Sequence, residues 1–310
     1  MIKTDIKHVI NKLEPDKEME YRLSEKIMSK QHNKFVFKPI VSIAASLVIV
    51  ICIGILGYNL IEKKPDTLVK NINSTGGIYV SKIELPKIKN TNTATNMIGL
   101  IVYQGRVYTQ SDTKIAPESA DNLLGDKLGT TKANIDEWSK QSDYAVEFAS
   151  TIGKQDVYSV NGYDKSFRIM TYEKIDGTTY SQFYECINGI TVKTGADVFD
   201  KLKVENNIKT AKYENFKSWN NMNKQYTELT ELRVLNNLVN ELKNTDPYTQ
   251  ESLSYLFDYK RETNEKFVYI TLNDNSEVQL RLFKDEYIYY CHIFFKMENR
   301  AFNNLWNELK

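Results

Sequence analysis

Few side chains in this chain of 310 residues can do covalent, metal or acid–base chemistry near neutral pH: three cysteines, Cys52, Cys186 and Cys291, and three histidines, His8, His32 and His292. Cys291 and His292 are adjacent in the aromatic run "YIYYCHIFF". On one extended strand neighbouring side chains point to opposite faces, so the two do not converge on one ion. A tetrahedral metal centre needs three or four converging ligands, and His292 is the single histidine beyond the apolar block described below. A Ser-His-Asp arrangement would depend on that same strand histidine. Gly125 and Gly129 in "LLGDKLGTTK" lack the Gly-Lys-Ser/Thr ending of a phosphate loop and read as loop or bulge glycines. Asp136, Glu137 and Glu147 are scattered acids with no pairing pattern. The expectation is a non-enzymatic chain with no catalytic residue, no cofactor and no metal.

Cys186 and Cys291 lie 105 residues apart, and a disulfide requires Cα atoms within about 7 Å of each other. Two buried, unpaired thiols in strands are the expected state. The run Tyr287 to Phe295 reads as a core strand, and as a binding surface only if one of its faces is exposed. Lys plus Arg (41) balance Asp plus Glu (40), which argues against a nucleic-acid partner. Tyrosine is abundant at 20 while proline is sparse at 6, a balance that favours β-sheet over loose linker.

The elements that would position any site are organised around one block. "KPIVSIAASLVIVICIGILGYNLIEKK" carries no charge from Ile40 to Ile61 in a chain of mean hydropathy −0.47. Its length suffices to cross a hydrocarbon core of about 30 Å. A cleaved signal peptide has a short basic lead and a small-x-small cleavage site. Here the lead is 39 residues, and "GYNLIEKK" offers no Ala-x-Ala. A buried core helix this uniformly apolar would need partners on every side. Residues 40–60 therefore read as a transmembrane helix. Arg22, Lys26, Lys30, Lys34 and Lys38 precede it, against Lys63, Lys64 and Lys70 after it, which places the N-terminus in the cytoplasm.

In the tail, residues 1–39, Ile6, Val9, Ile10 and Leu13 form one apolar stripe, and Met19, Leu23 and Ile27 form a second beyond Pro15. Two helices of about a dozen residues cannot bury such stripes alone. The stripes are covered by each other, by the membrane surface or by a cytoplasmic partner. The layout "LEPDKEMEYRLSEKIMSK", a Lys-rich stretch, then "SIAASLVIVICIGILGYNL", resembles the front end of the membrane-anchored anti-sigma-factor-like regulators of low-GC Gram-positive bacteria. The resemblance covers about the first 60 residues and lacks the His-xxx-Cys-xx-Cys zinc motif of one branch. It implies that the tail contacts a cytoplasmic sigma factor and that the outer part senses an extracytoplasmic ligand.

Residues 61–77 read as a polar linker. Residues 78–213 follow as a mainly antiparallel β module. Gln104-Gly105 and Asp176-Gly177 supply hairpin turns, and Asn188-Gly189 turns "FYECI" into "ITVK". Residues 214–310 read as helix, three-strand meander, helix. Leu229, Leu232, Leu235, Leu238 and Leu242 mark the first helix, and Phe302, Leu305 and Trp306 the inward face of the last. The expected class is α+β with one transmembrane helix. Two functions fit: a non-catalytic regulator touching lipid and a sigma factor, or an envelope-associated binding or structural protein that uses its tail only as an anchor.

Overall fold

Gln104-Gly105, Asp176-Gly177 and Cys291-His292 each close a two-residue hairpin, and all six residues take positive φ, between 45° and 78°. That conformation matches the right-handed twist of the flanking strands. Glycine adopts it freely, whereas Cys291 and His292 must be held there by their surroundings. The structure, a computed structural model, describes residues 77–83, 98–136, 139–221, 224–257, 261–297 and 300–310. The tail stripes, residues 40–60 and most of the linker lie outside the described residues. Among the described residues no helix is long and apolar enough to cross a membrane.

In chain order the strands are β1 (Ile78–Val80), β2 (Leu100–Tyr103), β3 (Arg106–Gln110), β4 (Lys114–Ile115), β5 (Leu124–Thr130), β6 (Asp156–Val160), β7 (Arg168–Ile175), β8 (Thr178–Glu185) and β9 (Ile190–Val192). They continue as β10 (Ile208–Asn215), β11 (Thr227–Glu228), β12 (Pro247–Thr249), β13 (Glu265–Leu272), β14 (Ser276–Phe283), β15 (Tyr287–Tyr290) and β16 (Ile293–Lys296). The helices that matter below are α1 (Ala196–Leu202), α2 (Leu232–Leu242) and α3 (Arg300–Glu308). Among the described residues the chain is α+β, and every strand pair is antiparallel.

The first sheet runs β2-β3-β8-β7-β6-β5. Its β2 edge is occupied by the returning segment 148–150, through Val102 N→Ala149 O and Phe148 N→Val102 O, each 2.8 Å. Its β5 edge is broken by two register shifts. Gly129 lies on this bulged strand, where an added Cβ would sit 2.3 Å from the Phe148 ring. Bulges of this kind blunt an edge against unwanted pairing.

The second sheet runs β11-β10-β13-β14-β15-β16-β12, with β4 added to β14 beyond the end of β15. On one face α1, α2 and α3 bury Phe199, Leu202, Leu235, Leu238, Leu242, Phe302 and Leu305 against Val268, Ile270, Leu280 and Ile288. Each such side chain contributes about 1.5–3 kcal/mol of transfer free energy. On the other face Leu253 and Leu256 of the 3₁₀ segment Glu251–Phe257 cover Phe283, Tyr289 and Phe294. Lys266 donates to the carbonyls of Trp306 (3.2 Å) and Leu309 and lies 4.3 Å from the Trp306 ring, so it closes the C-terminus of α3.

Four sequence expectations meet a different structure. "EYIYYCHIFFK" is not one strand but the hairpin β15–β16, so the C-terminal meander has four strands, β13 to β16. Strand β9 pairs with β1 and not with β8. Asn188 Nδ2 donates to Val107 O at 2.7 Å and Gly189 takes φ 66°, which turns the chain away from β8 toward Val80. The 213/214 division falls inside β10, whose whole length pairs with β13. The α2 helix begins at Leu232, and Leu229 is buried in the extended segment before it, its N–H donating to Ala211 O at 2.9 Å.

Candidate functional site

A buried gathering of ionisable groups lies where the two sheets meet. Arg168 opens β7 and Glu185 closes β8, and counting outward from the Asp176-Gly177 turn makes them direct cross-strand partners. Their side chains share one face, and both are fully buried. Arg168 Nε and Nη2 both donate to Glu185 Oε1, at 3.0 and 2.6 Å. The other carboxylate oxygen, Oε2, accepts the Tyr290 hydroxyl of the second sheet at 2.7 Å. Thr113, on the strap between β3 and β4, contacts Tyr290 Oη at 3.2 Å and Arg168 Nη2 at 3.5 Å.

Burial and the Glu185 charge push the Tyr290 hydroxyl well above its ordinary pKa, so it stays a donor. The Arg168 guanidinium carbon lies 4.3 Å from the Tyr163 ring centre, 4.9 Å from Phe183 and 5.3 Å from Phe167. Arg168 Nη1 is the one buried side-chain nitrogen or oxygen without a hydrogen-bond partner among the described residues. The aromatic faces compensate its charge in place of an oxygen. A buried pair with this many contacts is a structural joint: removing one partner strands the other charge.

Beside this joint lies the Cys291-His292 turn. Gln250 Oε1 accepts the Tyr289 hydroxyl at 2.9 Å and lies 2.8 Å from His292 Nδ1, the contact made by an Nδ1–H tautomer. Solvent reaches His292, yet protein surrounds it closely enough that desolvation lowers its pKa, against the opposing pull of Asp112 and Glu251. Desolvation raises the Cys291 thiol well above its usual value, and Glu185, Asp112 and Cys186 act in the same sense. Desolvation also raises the Cys186 thiol. Both cysteines are free. A thiol held protonated is a poor nucleophile, so this corner favours hydrogen bonding over covalent chemistry.

Open grooves lie elsewhere on the surface of the described residues, and two of them are defined by polar side chains. One, of about 270 Å³, lies between α2 and α3 and is lined by Asn237, Asn240, Glu241, Asn304 and Arg300. The other, of about 550 Å³, follows β4 and β14 beside Lys114, Glu118, Asn275 and Glu277. Neither includes the Arg168–Glu185 joint. Among the described residues no group of three or more His, Cys, Asp or Glu side chains is placed to hold a metal ion.

The tail positions expected to meet a partner, Ile6, Val9, Ile10, Leu13, Met19, Leu23 and Ile27, lie outside the described residues. The aromatic run is core on both faces: Ile288, Tyr290, Ile293 and Phe295 face the helices, while Tyr289 and Phe294 face the 3₁₀ segment. Cys291 and His292 do not stand on opposite faces of a strand, because they form its turn. The run 286–296 is eleven residues against a usual strand of about five or six, and that excess was the available signal for a hairpin. The joint also had a signal, since the Asp-Gly turn fixes the register of Arg168 and Glu185; their burial does not show in the sequence. Compared with protein-family models, curated proteins and solved structures, the chain matches none.

Proposed function

We propose that this chain is a single-pass membrane regulator without catalytic activity. Its tail holds a cytoplasmic partner, a sigma factor on the resemblance to anti-sigma factors, and its outer region receives an extracytoplasmic ligand. The observation that carries this reading is the uncharged block Ile40–Ile61, set between a tail with two apolar stripes and a tyrosine-rich β region. The two sheets support it by their common joint: a region built as one unit can pass a binding event to its single tether.

The test is capture of a sigma factor by the full-length protein from its own membranes. Retention of a sigma factor, and its loss on Leu23→Asp with membrane insertion unchanged, is the expected result. Capture that Leu23→Asp leaves intact removes the second stripe from the contact. Absence of any captured sigma factor leaves the envelope-associated binding or structural protein, with the tail as an anchor.

A further inference from the structure

We propose that the outer domain rests its exposed tyrosine face, built on Tyr79, Tyr248 and Tyr255, against the lipid headgroups of the bilayer that the apolar block crosses. The inference rests on the membrane reading above and adds to it an orientation and a contact surface.

Strand alternation sets the face. On β1, Ile78 and Val80 pack on the helix-covered core while Tyr79 between them is 53% exposed. On β12, Pro247 and Thr249 pair with Phe295 and Ile293, which belong to that same core. Tyr248 pairs with Phe294 on the opposite face and is 38% exposed. Strand β1 lies beside β12, so Tyr79 and Tyr248 share the face away from α1, α2 and α3. The 3₁₀ segment covers part of this face with Leu253 and Leu256 and turns Tyr255 outward, 56% exposed. The Tyr248 ring meets Tyr287 edge-on at 6.0 Å, and Lys296 Nζ lies 4.6 Å from the Tyr287 ring. Aromatic rings with a polar tip, next to a lysine, suit the boundary between headgroups and acyl chains.

The chain outside the structure says which surface is near. The apolar block ends at Ile61 and β1 begins at Ile78. The sixteen residues between them span at most about 58 Å even when fully extended. The domain is thus tied to the bilayer through the corner that carries Tyr79, two residues beyond Gly77. A tether this short holds the face at an effective concentration of about a millimolar, enough for a weak contact to persist.

The test uses the full chain, one copy per nanodisc, in phosphatidylcholine and phosphatidylglycerol at 3:1, with amide hydrogen exchange read by mass spectrometry. The Tyr79→Ser/Tyr248→Ser/Tyr255→Ser variant is expected to exchange several-fold faster over 78–82 and 247–257, with β13–β14 unchanged. A second variant, a forty-residue Gly/Ser insertion after Asn73, leaves the tyrosines in place and is expected to accelerate the same peptides by diluting the contact. Equal exchange in wild type and the insertion variant overturns the proposal. Protection that appears only with two copies per disc also overturns it, in favour of a second chain on this face. Extraction of the chain by alkaline carbonate overturns the membrane reading itself, a failure distinct from a chain that stays inserted without this protection.

Discussion

The β7–β8 and β13–β14 hairpins each bury an arginine against a glutamate, with two guanidinium nitrogens on one carboxylate oxygen. Arg168 and Glu185 are direct cross-strand partners, whereas Arg281 meets Glu265 on the diagonal, since Arg281 faces Phe267 and Glu265 faces Phe283. Arg281 keeps 11% of its side chain in solvent and sits among Trp219, Phe257, Phe267, Phe283 and Tyr289, ring centres 5.0 to 6.0 Å from its guanidinium carbon. Arg168 has no exposed surface, and its glutamate reaches across to Tyr290 of the other sheet. The same device clamps one hairpin of each sheet, and in the first it also joins the two sheets, through the second carboxylate oxygen of Glu185.

The largest expected effect separates the two arginines. Arg168→Met strands the Glu185 charge in the interior and is expected to cost about 3–5 kcal/mol in urea unfolding. Arg281→Met leaves the fully buried Glu265 carboxylate beside the opening through which 11% of Arg281 reaches solvent, so water can enter to hydrate it, and the expected cost is less, about 1–3 kcal/mol. Replacing both partners, as Arg168→Met/Glu185→Leu, is expected to recover much of the first loss. Equal costs for the two single variants would erase the distinction.

Alkali acts next. Burial raises the Tyr163 and Tyr184 hydroxyls from 10.0 to about 12, with a hydrogen bond to Asp274 adding to it for Tyr163. The folded state holds these protons more tightly than the unfolded chain. Their contribution is therefore fully present below pH 10 and is lost as pH rises through about 12. Part of the tyrosinate absorbance at 295 nm is expected to appear only together with unfolding. Full tyrosinate absorbance near pH 10 with the fold intact would contradict the burial. The smallest effect is Tyr290→Phe, expected to cost about 1 kcal/mol by leaving Glu185 Oε2 short of a donor while Arg168 still pairs with Oε1. Hydrogen exchange should then quicken in β7–β8 before β13–β14, because the variant loosens the joint and not the clamp.

Turn chemistry decides how much of this was legible. Gln104-Gly105 and Asp176-Gly177 announce their hairpins because glycine accepts positive φ freely. Cys291-His292 does the same work without that signal, so one strand was expected where two exist. The α2 and α3 helices declare themselves through periodic leucines and aromatics, whose spacing reflects local geometry. The β1–β9 pairing brings residue 78 beside residue 192, and nothing local encodes it. The joint falls between these cases: its register follows from the turn, while its burial and its Tyr290 partner depend on how the sheets meet. The tail contacts rest on the sequence alone.

Protease added to one side of the membrane tests the central claim most directly. With the full chain in right-side-out vesicles and a tag after Lys310, external protease is expected to remove the tag and residues 78–310. A fragment containing residues 1–39 and the apolar block should stay protected. A tag that survives while the tail is digested would contradict the account.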